Sequence, residues 1–238
     1  MTTKSPYDPT TREEREAAKG VRPKDAATMI LIRQDDDKPR VLMGQRSRGH
    51  DFMPDKFVFP GGRVDTEDGR APALSELNST CETALQKKNR RRPRAFALTA
   101  IRETFEETGL IVGKSANTTA VKPPTGWQDF YGSDVQPCLS GLTFVGRAVT
   151  PPYRPKRFDA RFFMADASEA LIDDRPPMDG AELINQKWFT LEEASELDLP
   201  SVTRFMLGEI NQRLMKPDEQ LAPFHLRWTV RGHTMDRL

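Results

Sequence analysis

Three stretches in the first third of the chain hold short apolar runs bounded by polar or turn residues and read as strands. AATMILIRQ, Ala26–Gln34, reads as the first strand, and DDDK, Asp35–Lys38, as its turn. VLMGQRS, Val41–Ser47, returns as the second strand. FVFPGGRVD, Phe57–Asp65, is a third strand running into a turn at Pro60-Gly61-Gly62, where adjacent glycines admit a close backbone approach. Residues 66–94 break the rhythm with a helix predicted over APALSELNSTCETALQKK and a basic run, Lys87–Arg94. A second helix begins near Ala95, with Leu98, Ile101 and Phe105 as its apolar stripe and Gly109 as its stop. A Pro-, Thr- and Gly-containing loop covers about 114–140. Strands follow over Gly141–Val149 and Arg157–Ala167. Gln186–Leu197 reads as a strand edge turning into a helix at Thr190, where Thr190 and Glu193 have capping-box spacing. A last helix covers Ser201–Leu214, and the pattern assigns nothing after Lys216. Strands and helices intermix without strict βαβ alternation. The expectation is one α/β domain with a mixed sheet over 21–215, a mobile arm at 1–20, and an extension at 216–238.

Composition narrows the function classes. The chain has 238 residues, 37% of them apolar and 30% charged, enough for a full domain core. Its net charge of +1 gives no global attraction to nucleic acid or membrane. No apolar run approaches the roughly 18 residues of a membrane span, and the N-terminus lacks an apolar signal core. Cys81 and Cys138 have no metal-ligand spacing, which suits a reducing compartment. A soluble cytoplasmic protein is the expectation. His50, His225 and His233 form no ligand spacing and read as surface residues.

The segment RETFEETGL, Arg102–Leu110, carries candidate chemistry. Spacings of three and four place Glu103, Glu106 and Glu107 on one helix face. Their mutual repulsion costs roughly 0.2–0.5 kcal/mol per pair. A hard divalent cation such as magnesium would relieve it, taking a few carboxylates and keeping waters and phosphate oxygens as its other ligands. The bare alternative is a solvated acidic face with an Arg102–Glu106 ion pair.

Pro60-Gly61-Gly62 together with Arg102-Glu103-x-x-Glu106-Glu107-x-Gly109-Leu110 resembles the Nudix box, G-x5-E-x7-R-E-U-x-E-E-x-G-U with U aliphatic. Thr104 stands where an aliphatic residue is usual, Asp68 falls at the position of the first glutamate, and about 26 extra residues separate the two halves. DAATMILIR, PKRFDARFFMA and QKWFTLEEA are also similar to Nudix segments. The interruption resembles the branch that includes coenzyme A diphosphatases. The resemblance implies a Nudix α/β/α sandwich with a central mixed sheet and a loop-helix-loop box. It also implies hydrolysis of a diphosphate in a nucleotide derivative, magnesium or manganese as cofactor, and a homodimer. Carried onto this chain, Glu103, Glu106 and Glu107 match the metal ligands, and Arg102 matches the arginine that orients a box glutamate. Gly61 and Gly62 match the turn that holds the box helix beside the substrate. The general base is Glu106, or Glu182 in the loop before Trp188, which otherwise is an ordinary surface acid.

For the substrate, the resemblance extends to a coenzyme A signature, L-L-T-x-R-S-x3-R-x3-G-x3-F-P-G-G. Leu42, Arg46, Ser47 and Phe59–Gly62 match it, whereas Asp51 and Asp55 replace its later arginine and glycine. Arg46 is a phosphate contact or a solvent-facing strand end, and Arg157 contacts the phosphates or pairs with an acid. Coenzyme A or its acyl esters lead, ahead of ADP-ribose, NADH or dinucleotides. The rival readings are a ligand-binding Nudix module without turnover and RNA binding through Lys87–Arg94. The missing interleaved aromatics speak against RNA.

Overall fold

The computed structural model describes residues 20–35, 38–49, 52–87, 91–118, 122–229 and 232–238. The arm expected at the N-terminus, His50, Asp51 and Lys88–Arg90 lie outside the described residues. Strand β1, Lys24–Asp35, is the organising element. It pairs antiparallel with β2, Lys38–Arg46, and with the three-residue β4, Gly61–Arg63. It also pairs in parallel with β8, Phe158–Asp166. The stretch read as one strand over 57–65 is split at Phe59-Pro60. Proline cannot donate to a ladder, so β3, Phe57–Val58, joins β2 while β4 turns onto β1.

β7, Thr143–Val149, extends the sheet beyond β8, and β9, Leu183–Thr190, closes its other end on β2. The tail left unassigned by the sequence forms β10, Phe224–Thr229, and β11, Gly232–Arg237, with β10 parallel to β7. The result is a nine-stranded mixed sheet. β5, Gly113–Ser115, and β6, Val135–Pro137, form a separate pair.

Alternation along β1 builds two cores. Met29 and Leu31 face one layer with Leu42, Phe96, Leu98 and Ile101. Ile30 and Ile32 face the other with Val41, Met43, Met206 and Ile210. Each such side chain contributes roughly 1.5–3 kcal/mol on burial. The first core is covered by α1, Ser79–Gln86, and α2, Pro93–Thr108. The second is covered by α5, Leu191–Glu196, and α6, Ser201–Met215. The short helices α3, Gln128–Tyr131, and α4, Ala167–Ala170, complete the chain. This is the three-layer α/β/α arrangement with a central mixed sheet.

Three expectations are corrected. The helix predicted over 71–88 forms only as α1, because Asn78 caps it by accepting from the Cys81 N–H and the preceding residues bridge to Cys138 instead. Within the segment read as a loop over 114–140, β5, α3 and β6 form and Trp127, Phe130, Tyr131 and Val135 are buried. His225 is buried on β10, not at the surface. The capping box at Thr190 and Glu193 forms as expected, with both reciprocal bonds present.

Candidate active site

Helix α2 carries the glutamate cluster and is enclosed on almost every side. Besides Leu98 and Ile101, its Thr99, Arg102, Thr104 and Thr108 are buried. Thr104 replaces an aliphatic residue without leaving an unpaired hydroxyl, since its Oγ1 donates to the Ala100 carbonyl at 2.7 Å. The helix ends at Gly109 in the left-handed conformation, φ 71°.

At its C-terminal end, Glu103, Glu106 and Glu107 line one cavity of about 200 Å³. Ala181 and Glu182 form the opposite wall, so the loop acid singled out from sequence reaches the cluster. A larger, more open hollow of about 530 Å³ runs along β9 and α5. Its Arg40 and Lys187 mix with Glu193 and Glu196, and it gathers no convergent acid set. The smaller cavity is therefore the candidate site.

Arg102 organises the cluster. Its Nη1 donates to Glu106 Oε2 and its Nη2 reaches Glu103 Oε1, both at 2.9 Å. Its Nε and Nη2 donate to the two oxygens of Asp68, at 2.7 and 3.1 Å. Asp68 is fully buried and also accepts from the Asp65 N–H, the Thr99 hydroxyl and the Trp127 indole N–H. The shortened acid of the box thus stands as the hub that fixes Arg102. Trp127 went unnoticed because it lies in the 114–140 segment, where no spacing motif points to it. The insertion and that segment are stitched together, with Tyr131 Oη donating to the Pro72 carbonyl and Leu74 N to the Pro137 carbonyl.

The turn is placed just as tightly. Gly61 N donates to Glu107 Oε2 at 2.8 Å. A Cβ at Gly62 would run into the Glu103 carboxylate, so the backbone there lies flush against that side chain. Burial raises all three glutamates. Glu103 is pushed up to about 7, mainly by burial against the opposing pull of Arg102 and with Glu106 adding to the rise. Glu107 is driven well above the carboxylate range by burial, and burial also raises Glu106. The charge of Glu182 adds to the rise at Glu106 and Glu107. This is a site with more negative charge than Arg102 alone relieves.

Among the described residues, no three acidic, histidine or cysteine side chains converge as a ready metal cage. Glu103 and Glu106 are turned to Arg102, and Glu107 to the Gly61 N–H. The donor set still fits a hard divalent cation. It is all carboxylate, carries excess negative charge and borders a cavity with room for the waters such an ion retains.

The remaining sequence candidates divide. Arg46 belongs to the neighbourhood: burial lowers its pKa, while the charges of Glu107 and Glu182 counter that effect. Its guanidinium lies 5.3 Å from the Phe52 ring centroid. Arg157 donates to the carbonyls of Thr150 and Val21. It sits beside Lys24, four residues along β1 from the Thr28 that pairs with Gly61, or about 13 Å. No contact joins it to the cluster among the described residues. Arg91 pairs with Asp25, and Arg94 bonds Glu76 and the carbonyls of Gly69 and Ala71. These parts of the basic run hold the insertion in place. Asp55, at the glycine position of the signature, has φ 61°, the left-handed backbone that glycine adopts freely.

No protein-family model matches the chain. A candidate nudix hydrolase 7 of Caenorhabditis elegans is 28% identical over 191 residues, covering 73% of this chain and 56% of that protein. The acyl-coenzyme A diphosphatase NUDT19 of Homo sapiens is 25% identical over 210 residues, covering 66% of this chain and 55% of that protein. The chain spans about half the length of these curated relatives. Among solved structures, a NUDIX hydrolase from Alicyclobacillus acidocaldarius superposes with a TM-score of 0.59 at 26% identity, covering 79% of this chain and 91% of that one. With its interrupted box, its three-layer fold and these relatives, the chain is similar to the Nudix hydrolases.

Proposed function

We propose that the chain hydrolyses the diphosphate linkage of a nucleoside diphosphate derivative, with coenzyme A or an acyl-coenzyme A as its substrate. The observation that carries this reading is the gathering of Glu103, Glu106, Glu107 and Glu182 around one cavity, with Arg102 spanning two of them. Glu103, Glu106 and Glu107 would hold magnesium or manganese, which when bound supplies Lewis-acid polarisation of a phosphoryl oxygen and acidifies a bound water. The protein's own part is positioning and proton transfer. Arg102 holds Glu103 and Glu106 at fixed angles, and the Gly61 N–H fixes Glu107. Water attacks phosphorus, the anhydride P–O bond breaks, and the proton of the water passes to Glu106 or to Glu182 across the cavity. Arg46, drawn by Glu107 and Glu182, meets a substrate phosphate as a bidentate donor.

Three observations favour coenzyme A. One curated relative is named as an acyl-coenzyme A diphosphatase. Leu42, Arg46, Ser47 and Phe59–Gly62 keep the signature spacing. Asp55 keeps a glycine-like backbone. The free thiols of Cys81 and Cys138 accord with a cytoplasmic setting. No helix among the described residues is long and apolar enough to cross a membrane.

The test is a substrate panel of coenzyme A, acyl-coenzyme A, ADP-ribose, NADH and diadenosine polyphosphates, with magnesium or with EDTA, and the products separated by chromatography. Coenzyme A is expected to yield 3′,5′-ADP and phosphopantetheine, with EDTA abolishing turnover and added metal restoring it. Cleavage of ADP-ribose or a dinucleotide instead would reassign the substrate. Silence across the panel in saturating metal would leave a binding module and overturn the reading. Gly62→Ala sharpens the metal assignment. Its methyl displaces the Glu103 carboxylate, so the magnesium concentration for half-maximal activity should rise by roughly 10–100-fold, as for other disturbed ligand supports.

A further inference from the structure

The loop that carries Glu182 leans on the C-terminal end of α2, and one side chain accounts for much of that seating. Gln186, buried on β9, sends its Nε2 to the Glu107 carbonyl at 2.7 Å and the Met178 carbonyl at 2.8 Å. Its own N–H donates to Asp179 Oδ1 at 3.0 Å. The loop adds one backbone bond to the helix end, Met178 N to the Thr108 carbonyl, and closes on itself through Gly180 N to the Leu183 carbonyl. Gly180 rests against the helix end so closely that a Cβ there would stand 3.0 Å from the Glu107 carbonyl oxygen.

A local irregularity aims Gln186 inward. Met43 pairs with Lys187 but Gln45 pairs with Ile184, so β9 carries one residue more than β2 at this point. Asn185 takes the left-handed conformation there, φ 53°, as one residue does in some bulges. Opposite, Gly44 leaves the room that the Gln186 stem fills, since a Cβ there would be 3.0 Å from Gln186 Cγ. The Gln186 Oε1 is buried without a hydrogen-bond partner among the described residues. The amide is therefore oriented by what its NH2 end holds, which is the Glu107 and Met178 carbonyls on opposite sides of the junction, with the Leu183 carbonyl more distant at 3.4 Å. A glutamate could not serve there, having no proton to offer when ionised.

We propose that Gln186 is a positioning residue: its side-chain NH2 clamps the Met178–Glu182 loop to the end of the box helix and so sets where the Glu182 carboxylate stands across the cavity. The inference rests on the proposed hydrolysis and on Glu182 as its proton acceptor. The clamp itself is readable without turnover. Ser47 N also donates to the Glu182 carbonyl at 2.9 Å, a second tether that supplies the rival explanation.

The experiment compares Gln186→Leu and Gly180→Ala in the full chain, the latter prying the loop from the helix end without touching Gln186 or the core. Amide exchange at Met178 and Gly180 is measured together with kcat and KM on the cleaved substrate, in wild-type and Glu182→Gln backgrounds. The expected result is faster exchange at both amides and a fall in kcat of roughly 10–100-fold, with KM and the magnesium requirement within about two-fold of wild type. In Glu182→Gln, either substitution should lower kcat no further. Unchanged exchange and kcat would mean that the Ser47 tether alone seats the loop, and the proposal fails. An equal loss of kcat with and without Glu182 would overturn it too, because Gln186 would then act through α2. If the wild type turns over nothing on the panel, the proposed function falls, and the exchange rates alone decide whether the clamp exists.

Discussion

Glu106→Gln is expected to lower turnover by roughly 10²–10⁴-fold, the range lost when a positioned acid or base is removed, while the protein melts within a few degrees of wild type. The substitution preserves shape and removes charge. Glu106 lies at the cavity mouth with 44% of its side chain exposed, so its ion pair with Arg102 adds little to stability. Its carboxylate nevertheless completes the metal-facing set and is one of the two candidates to take the proton from water. Kinetics and thermal melting on one preparation decide the matter. A loss of less than about ten-fold would remove Glu106 from both roles and leave Glu182 as the base. A large loss accompanied by unfolding would mean that the ion pair matters more to the fold than its exposure suggests.

Asp68→Asn should be the most damaging substitution for the fold, costing about 3–5 kcal/mol, the scale for removing one partner of a buried ion pair. For a chain of this size that is a fall in Tm of roughly 10 °C. Asp68 is fully buried and takes five hydrogen bonds: from Asp65 N, Thr99 Oγ1, Nε and Nη2 of Arg102, and Trp127 Nε1. An asparagine offers one acceptor oxygen, and its NH2 would face donors. The Arg102 guanidinium would then be drawn toward Glu103 and Glu106 alone, so activity should fall with stability. Denaturant unfolding measures the first effect. A loss under about 1 kcal/mol would show that the two glutamates suffice to compensate Arg102.

Much of this was legible in the order of the residues, for identifiable reasons. The unbroken apolar run Met29–Ile32 in β1 reports burial on both faces, and its register is specified because a one-residue slip would exchange the two sets of side chains. The box glutamates declared themselves because like charges at helical spacing need a cause. What stayed hidden depends on contacts far apart in the chain. Asp68 looks like a weakened glutamate until Trp127 and Thr99 are seen around it. Gln186 looks like any strand glutamine until the bulge at Asn185 turns it under the helix. The tail was unreadable because β10 is held by parallel pairing with β7 and by Phe224 seated on Phe205, 5.0 Å between ring centroids, rather than by a pattern of its own. Arg157 is the opposite case: a basic residue beside a strand suggests phosphate, whereas two backbone carbonyls take its donors here.

The two halves of the box are both anchored on β1, the turn through β4 and the helix through the core it covers, and Asp68 bonds directly to Arg102 across the gap in sequence. Closing a longer loop between ends already fixed adds only about 0.6 kcal/mol for each doubling of its length. Natural selection can therefore lengthen or shorten the connection over many generations without moving a single carboxylate. In such a lineage, what is inherited is a set of contacts, and the spacing by which the motif is usually recognised is free to drift.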